Sequence, residues 1–145
     1  LSPATGLGTV TAAPFKVALG LGCDRGTPAA TIARAVNEAL AAASLEAAQV
    51  QAIASITLKA DEAGLLAVAA AQGWALSFYS PQQLATVPVP NPSETVRRYT
   101  GTPSVAEAAA LLAAGADKDQ LIIEKHKLRG PDGRSATVSI ARITT

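Results

Sequence analysis

Residues 16–28, KVALGLGCDRGTP, constrain the fold of this chain more than any other segment. The run KVALGL is short and apolar and is stopped by glycine, the pattern of a buried strand. The turn 22–28 follows, and a helix opens behind it. Thr27 is a good N-cap, and Pro28 at the first helical position lacks only an N–H that would have no helical partner. Ile32, Val36 and Leu40 then recur at a spacing of four and form one apolar stripe. Strand, glycine turn and helix are the opening of a βαβ unit.

The rest of the chain continues the alternation. Residues 44 to about 52 predict a second helical stretch, and 53–58 (IASITL) a β-branched strand. Residues 59–62 open another helix, with Asp61 as cap and Leu65, Leu66 and Ala69 turned inward, and Gly73 ends it. Residues 75–79 (ALSFY) predict a third strand, with a short turn of helix from Pro81. Prolines 88, 90, 92 and 103 make 87–103 an irregular surface segment. Ser104 and Glu107 fit a capping box before an alanine-rich helix that stops at Gly115. Residues 121–128 and 136–144 predict strands around GPDG at 130–133, a terminal antiparallel hairpin. The expected fold is a three-layer α/β domain over 15–145. It has a mostly parallel sheet, helices on both faces and a C-terminal antiparallel hairpin. Residues 1–14 are expected to form a flexible N-terminal tail.

Composition narrows the function classes. The 145 residues suit one domain. Twelve Lys and Arg against eleven Asp and Glu give a net charge of +1, and aromatic residues are 3% of the chain. Both argue against a nucleic-acid surface. One cysteine and one histidine leave no disulfide framework and no set for structural zinc, so no metal site and no cofactor are expected. No apolar run approaches the roughly 20 residues that span a bilayer. Residues 1–14 lack the basic start and apolar centre of a signal peptide. No membrane partner is expected, and the expected location is cytoplasmic.

In a sheet of this kind ligands gather beyond the carboxyl ends of the strands. That rule selects the loops 22–27, 57–62 and 90–102, which hold most of the chain's reactive side chains. Gly20, Gly22 and Gly26 give G-x-G-x-x-x-G, where free amides at a helix start would favour an anion. The spacing departs by one residue from the dinucleotide fingerprint, no acidic ribose partner follows, and the Gly-Lys-Ser/Thr of a P-loop is missing. A tight turn that needs glycine explains the same residues. Cys23, near a helix start and Arg25, has surroundings that lower a thiol pKa. A small buried thiol is the plainer reading, since the phosphatase spacing of Cys, five residues and Arg fails at Ala29. Lys59, Asp61 and Glu62 offer a cation and acid–base carboxylates, or a helix cap with solvated neighbours. Lys125, His126, Lys127, Arg129 and Arg134 make the final hairpin basic. This is either a charged edge that discourages aggregation or a face for a polyanionic small molecule, to which Arg97 and Arg98 add if the fold brings them close.

The segments GLGCDRGTP, IASITLKADEAGLL and PSETVRRYTGTPSVAEAAALLAAG together resemble a known family. This is the CobE/CbiG C-terminal domain family of cobalamin biosynthesis, and the likeness covers about residues 16–143. The resemblance implies an α/β domain that takes part in corrin-ring synthesis. The longer members open a lactone on a cobalt-containing precorrin and release acetaldehyde. The short chain here fits the standalone form. Site positions implied by the likeness are Gly22, Cys23, Arg25, Gly26, Thr27, Lys59, Asp61, Glu62, Ser93, Glu94, Gly101 and Thr102. Asp24 stands where the family often has a second basic residue, and Lys125-His126-Lys127 where it often has K-Q-K. The functional expectation is an accessory or carrier protein that binds a precorrin or hydrogenobyrinate-type corrinoid, with other cobalamin-pathway enzymes as possible partners. Lys125 and Lys127 join its ligand-binding set. The alternatives are a precorrin lactone hydrolase with Asp61 or Glu62 as general base, and a small phosphate- or nucleotide-binding domain.

Overall fold

A computed structural model describes residues 15–102 and 104–143, so the tail expected at 1–14 lies outside the described residues. The strands are β1 (Val17–Cys23), β2 (Val50–Ile56), β3 (Ala75–Tyr79), β4 (Leu121–Arg129) and β5 (Ser135–Arg142). The helices are α1 (Ala29–Ala42), α2 (Ala63–Gln72), α3 (Pro81–Ala85), α4 (Glu94–Thr100) and α5 (Ala106–Ala114). One sheet runs in the order β3-β2-β1-β5-β4. β1, β2 and β3 pair in parallel, and β5 is antiparallel to both β1 and β4. This is the α/β sheet with a C-terminal hairpin that the sequence predicts. No helix among the described residues is long and apolar enough to cross a membrane.

Alternation along β1 assigns the two layers. Val17, Leu19 and Leu21 face α1 and α2, packing with Ile32, Val36, Leu40 and Leu65 and with Val138 and Ile140 of β5. Ala18 faces the other way, toward Ala110, Leu111 and Ala114 of α5. On that same face Ala54 and Ile56 of β2 meet Ala108 and Ala109. The second layer is built of alanine, so α5 lies close against the sheet. At Gly20 the approach is extreme: a Cβ there would stand 1.7 Å from the Ala106 carbonyl oxygen.

Local expectations shift where tertiary pairing overrides them. β1 does not stop at Gly22, because β5 pairs along it through Gly22↔Thr137 and Cys23↔Ala136. Pro28, not Thr27, is the N-cap of α1, and the Thr27 hydroxyl instead donates to the Asp24 carbonyl at 2.7 Å. The helix expected over 44–52 is only a 3-10 turn, Ala47–Gln49, since β1 draws Val50 into the sheet through Val17↔Val50. Glu62 rather than Asp61 occupies the cap position of α2, and Leu66 is 44% exposed rather than turned inward. The proline-rich segment contains α4, whose cap Ser93 accepts from the Val96 N–H. Val105 is the cap position of α5, while Ser104 bonds the Glu107 side chain.

Candidate functional site

The carboxyl ends of β1 and β2 open into a cleft of about 600 Å³. Gly22, Cys23 and Ile56 end these strands at its base, and Ser104 and Glu107 enter from the start of α5. α4 supplies one wall through Val96 and Tyr99, and β4 contributes Lys125 and Lys127. The period of two along β4 puts these lysines on one face and His126 on the other, where it meets Glu38 at 3.0 Å. Lys59 comes from the loop after β2. Seven expected site residues therefore line one cavity: Gly22, Cys23, Arg25, Lys59, Ser93, Lys125 and Lys127.

The others shape its surroundings. Arg25 is the centre of a clamp. Its Nη1 donates to Asp61 Oδ1 at 2.8 Å and lies 2.7 Å from Glu62 Oε2, and its Nη2 donates to the Leu58 carbonyl at 2.8 Å. Glu62 Oε1 accepts from the Gly26 N–H at 2.8 Å. A carboxylate of the protein itself thus takes the anion's place at the glycine turn. Two further amides of the turn are also engaged, Asp24 N–H by the Ser135 carbonyl and Thr27 N–H by the Asp24 carbonyl. Gly26 has φ +80°, and Arg134 braces it by donating to the Arg25 carbonyl at 3.0 Å. Asp24 accepts from the Ser135 N–H at 2.8 Å, which stitches the turn to β5. Further along, Glu94 pairs with Arg97 on α4, Gly101 ends that helix at φ +82°, and buried Thr102 donates to the Ser104 carbonyl.

The electrostatics separate the groups by role. The Arg25 guanidinium beside Asp61 holds its carboxyl below the usual range. Burial pushes the Cys23 thiol up, with Lys59 opposing, and outweighs the influences at this turn that lower a thiol pKa. Cys23 is therefore expected to alkylate with iodoacetamide more slowly at pH 7 than a free cysteine. A rate equal to free cysteine or faster would reveal an activated thiolate. Lys59 and Lys127 make no ion pair among the described residues. Their ammonium groups remain free to meet anions.

Sequence reasoning missed Glu107 as a site residue, treating it as a capping-box partner of Ser104. Its side chain is 2% exposed, it lines the cleft, and Lys125 Nζ lies 3.6 Å from its Oε2. The signal was Gly20: a helix drawn onto a glycine in a central strand buries its first turn.

Fold and site together define an α/β protein with a partly cationic cleft at the carboxyl edge of its sheet. The chain belongs to the cobalamin synthesis G C-terminus family, whose model matches residues 17–141, and is a cobalamin biosynthesis protein. It is 41% identical over 130 residues to the cobalt-precorrin-5A hydrolase of Priestia megaterium, covering 90% of this chain and 33% of that protein. It is 38% identical to Protein CobE of Sinorhizobium sp over 117 residues, covering 79% and 75%. The chain thus spans a third of the length of the first relative and three quarters of the second. The crystal structure of CobE, from the vitamin B12 biosynthetic pathway, superposes with a TM-score of 0.76 at 32% identity, over 94% of this chain and 96% of that one.

Proposed function

We propose that the cleft binds a polycarboxylated corrinoid intermediate and that the protein serves as an accessory or carrier for it, working in the cytoplasm beside other enzymes of cobalamin synthesis. The observation that carries this reading is the set of lysines Lys59, Lys125 and Lys127 around one cavity beyond the strand ends. Corrinoid intermediates carry acetate and propionate carboxylates at the ring edge, and ammonium groups at a cavity rim suit such dispersed anions. The cavity lies within the roughly 300–1,000 Å³ of small-molecule sites. Ile56 and Val105 give it apolar surface for the ring.

A second reading, hydrolysis of a precorrin lactone, is favoured by the name of the Priestia megaterium relative. Asp61 and Glu62 are its candidate bases. Both pair with Arg25 and neither lines the cleft, so binding is the better-supported role.

Titration of hydrogenobyrinic acid, followed by absorbance, tests the binding reading. Affinity is expected to fall about tenfold between low and high salt, because exposed ion pairs are screened beyond roughly 10 Å at 0.1 M. Replacing Lys59, Lys125 or Lys127 singly by alanine should weaken binding a few-fold, as exposed pairs contribute only about 0–1 kcal/mol each. Equal affinity for the acid and its fully amidated derivative at all salt concentrations would defeat the electrostatic reading. Acetaldehyde released from a lactone-bearing precorrin would instead establish the second.

A further inference from the structure

Glu107 is a buried carboxylate with one oxygen in use and one without a hydrogen bond. Oε1 accepts from Ser104 Oγ at 2.7 Å, which fixes the side chain. Oε2 has no hydrogen-bond donor, although its side chain is 2% exposed and it borders the cleft. Its counter-charge among the described residues is Lys125, 3.6 Å away, on an edge strand and 40% exposed. An ammonium at that distance balances charge without making a hydrogen bond. The stem of Lys125 is long and flexible, so its charge can turn to a ligand without dragging the fold. Glu107 cannot follow, because Ser104 and the packing of α5 on Gly20 hold it.

We propose that Glu107 is a specificity-determining residue of the cleft, whose free oxygen reads a hydrogen-bond donor on the ligand. A peripheral amide, offering N–H groups, satisfies Oε2 with a charge-assisted bond. A carboxylate at the same position meets a fixed like charge in a poorly solvated pocket and is disfavoured. The lysines attract the acidic rim as a whole, and Glu107 selects against acid at one point of it. The inference rests on the corrinoid-binding reading above and deepens it, since it gives the site a preference for the amidation state of one side chain.

The test compares hydrogenobyrinic acid with its fully amidated derivative, titrated against the native protein and Glu107→Gln. The native acid-to-amide affinity ratio is the reference, whatever its value. Glu107→Gln should raise acid affinity about tenfold and leave amide affinity within about threefold, moving the ratio toward acid. If both affinities change by the same factor, Glu107 is a packing residue and the proposal fails. Should the glutamine variant not fold, Glu107→Met, of similar volume and without charge, is expected to move the ratio the same way, and an unmoved ratio overturns the proposal equally. Absence of binding of either compound to the native protein is a different result, which defeats the corrinoid reading itself.

Discussion

Gly20→Ala is expected to destabilise the protein by at least about 3 kcal/mol, toward the upper end of what overpacked sites cost. The added methyl group would lie 1.7 Å from the Ala106 carbonyl oxygen and 2.6 Å from the Ala110 backbone nitrogen. Both contacts are with helix backbone, so no rotamer change relieves them. The whole of α5 must retreat from β1 or β1 must leave the sheet. Folding stabilities of about 5–15 kcal/mol leave little margin for either. Gly22→Ala is the control two residues along the same strand. Its Cβ would meet nothing closer than Val105 Cγ1 at 3.9 Å. That change should be neutral or stabilise by about 0.5 kcal/mol through the unfolded chain. Urea unfolding of both variants measures the contrast, and a Gly20→Ala protein within about 1 kcal/mol of native would show that α5 is not seated as described. Because α5 carries Glu107 into the cleft and Ser104 just before it bonds that side chain, any folded Gly20→Ala protein should also lose corrinoid affinity.

That contrast shows what kind of information the sequence holds. Gly20, Gly22 and Gly26 look alike as a glycine-rich turn. Each has a separate cause: close helix packing, open space, and a positive φ braced by Arg134. Spacing along the chain cannot tell them apart, since the helix that meets Gly20 lies more than 80 residues away. Strand and helix order was readable, because apolar runs and glycine stops are local. β3 and the final hairpin stand close to where apolar alternation and GPDG place them. α4 was hidden by the prolines around it. Its own signals were present in Ser93 as cap, Glu94 in the first turn, Arg97 and Arg98 in the last, and Gly101 after it. The 44–52 segment failed the other way, as helical composition yielded to the sheet register at Val50.

For the site, loops chosen by the strand-end rule do converge, which is a topological fact and follows from the βαβ order. Which members face the cavity depends on side-chain pairing, and sequence gives no access to that. Arg25 illustrates the loss. As a free guanidinium near a helix start it suits a ligand carboxylate, yet in the fold it is committed to Asp61, Glu62 and the Leu58 carbonyl. On β4, Lys127 makes no ion pair among the described residues, because an edge strand offers fewer neighbours, while Lys125 faces Glu107 at 3.6 Å.

Glu62→Ala is expected to cost about 2–3 kcal/mol, the largest effect of any change in the clamp. The carboxylate, at the end of the second loop, is 4% exposed and ties the two loops together by holding both the Gly26 N–H and the Arg25 guanidinium of the first. Its removal leaves the Gly26 donor unpaired in a partly buried turn and takes one of two carboxylates from Arg25. The figure sits below the roughly 3–5 kcal/mol of fully buried broken pairs, because Arg25 is 60% exposed and solvent compensates it in part. Glu62→Gln should cost less, since its amide oxygen still accepts from Gly26. Asp61, exposed and paired with the same guanidinium, contributes with a definite sign in pH. Its folded carboxyl is held below the usual range, so its stabilisation is present above the ordinary value near 4 and is lost as pH falls through the depressed one. The glutamine variant separates the two roles open to Glu62. As a tether, Glu62→Gln keeps corrinoid affinity and any lactone opening roughly in proportion to its stability, while Glu62→Ala loses both. As a general base, Glu62→Gln stops acetaldehyde release by at least about a hundredfold with its urea midpoint unchanged. The clamp geometry predicts the first pattern, and a stable but inactive glutamine variant would move Glu62 from scaffold to chemistry.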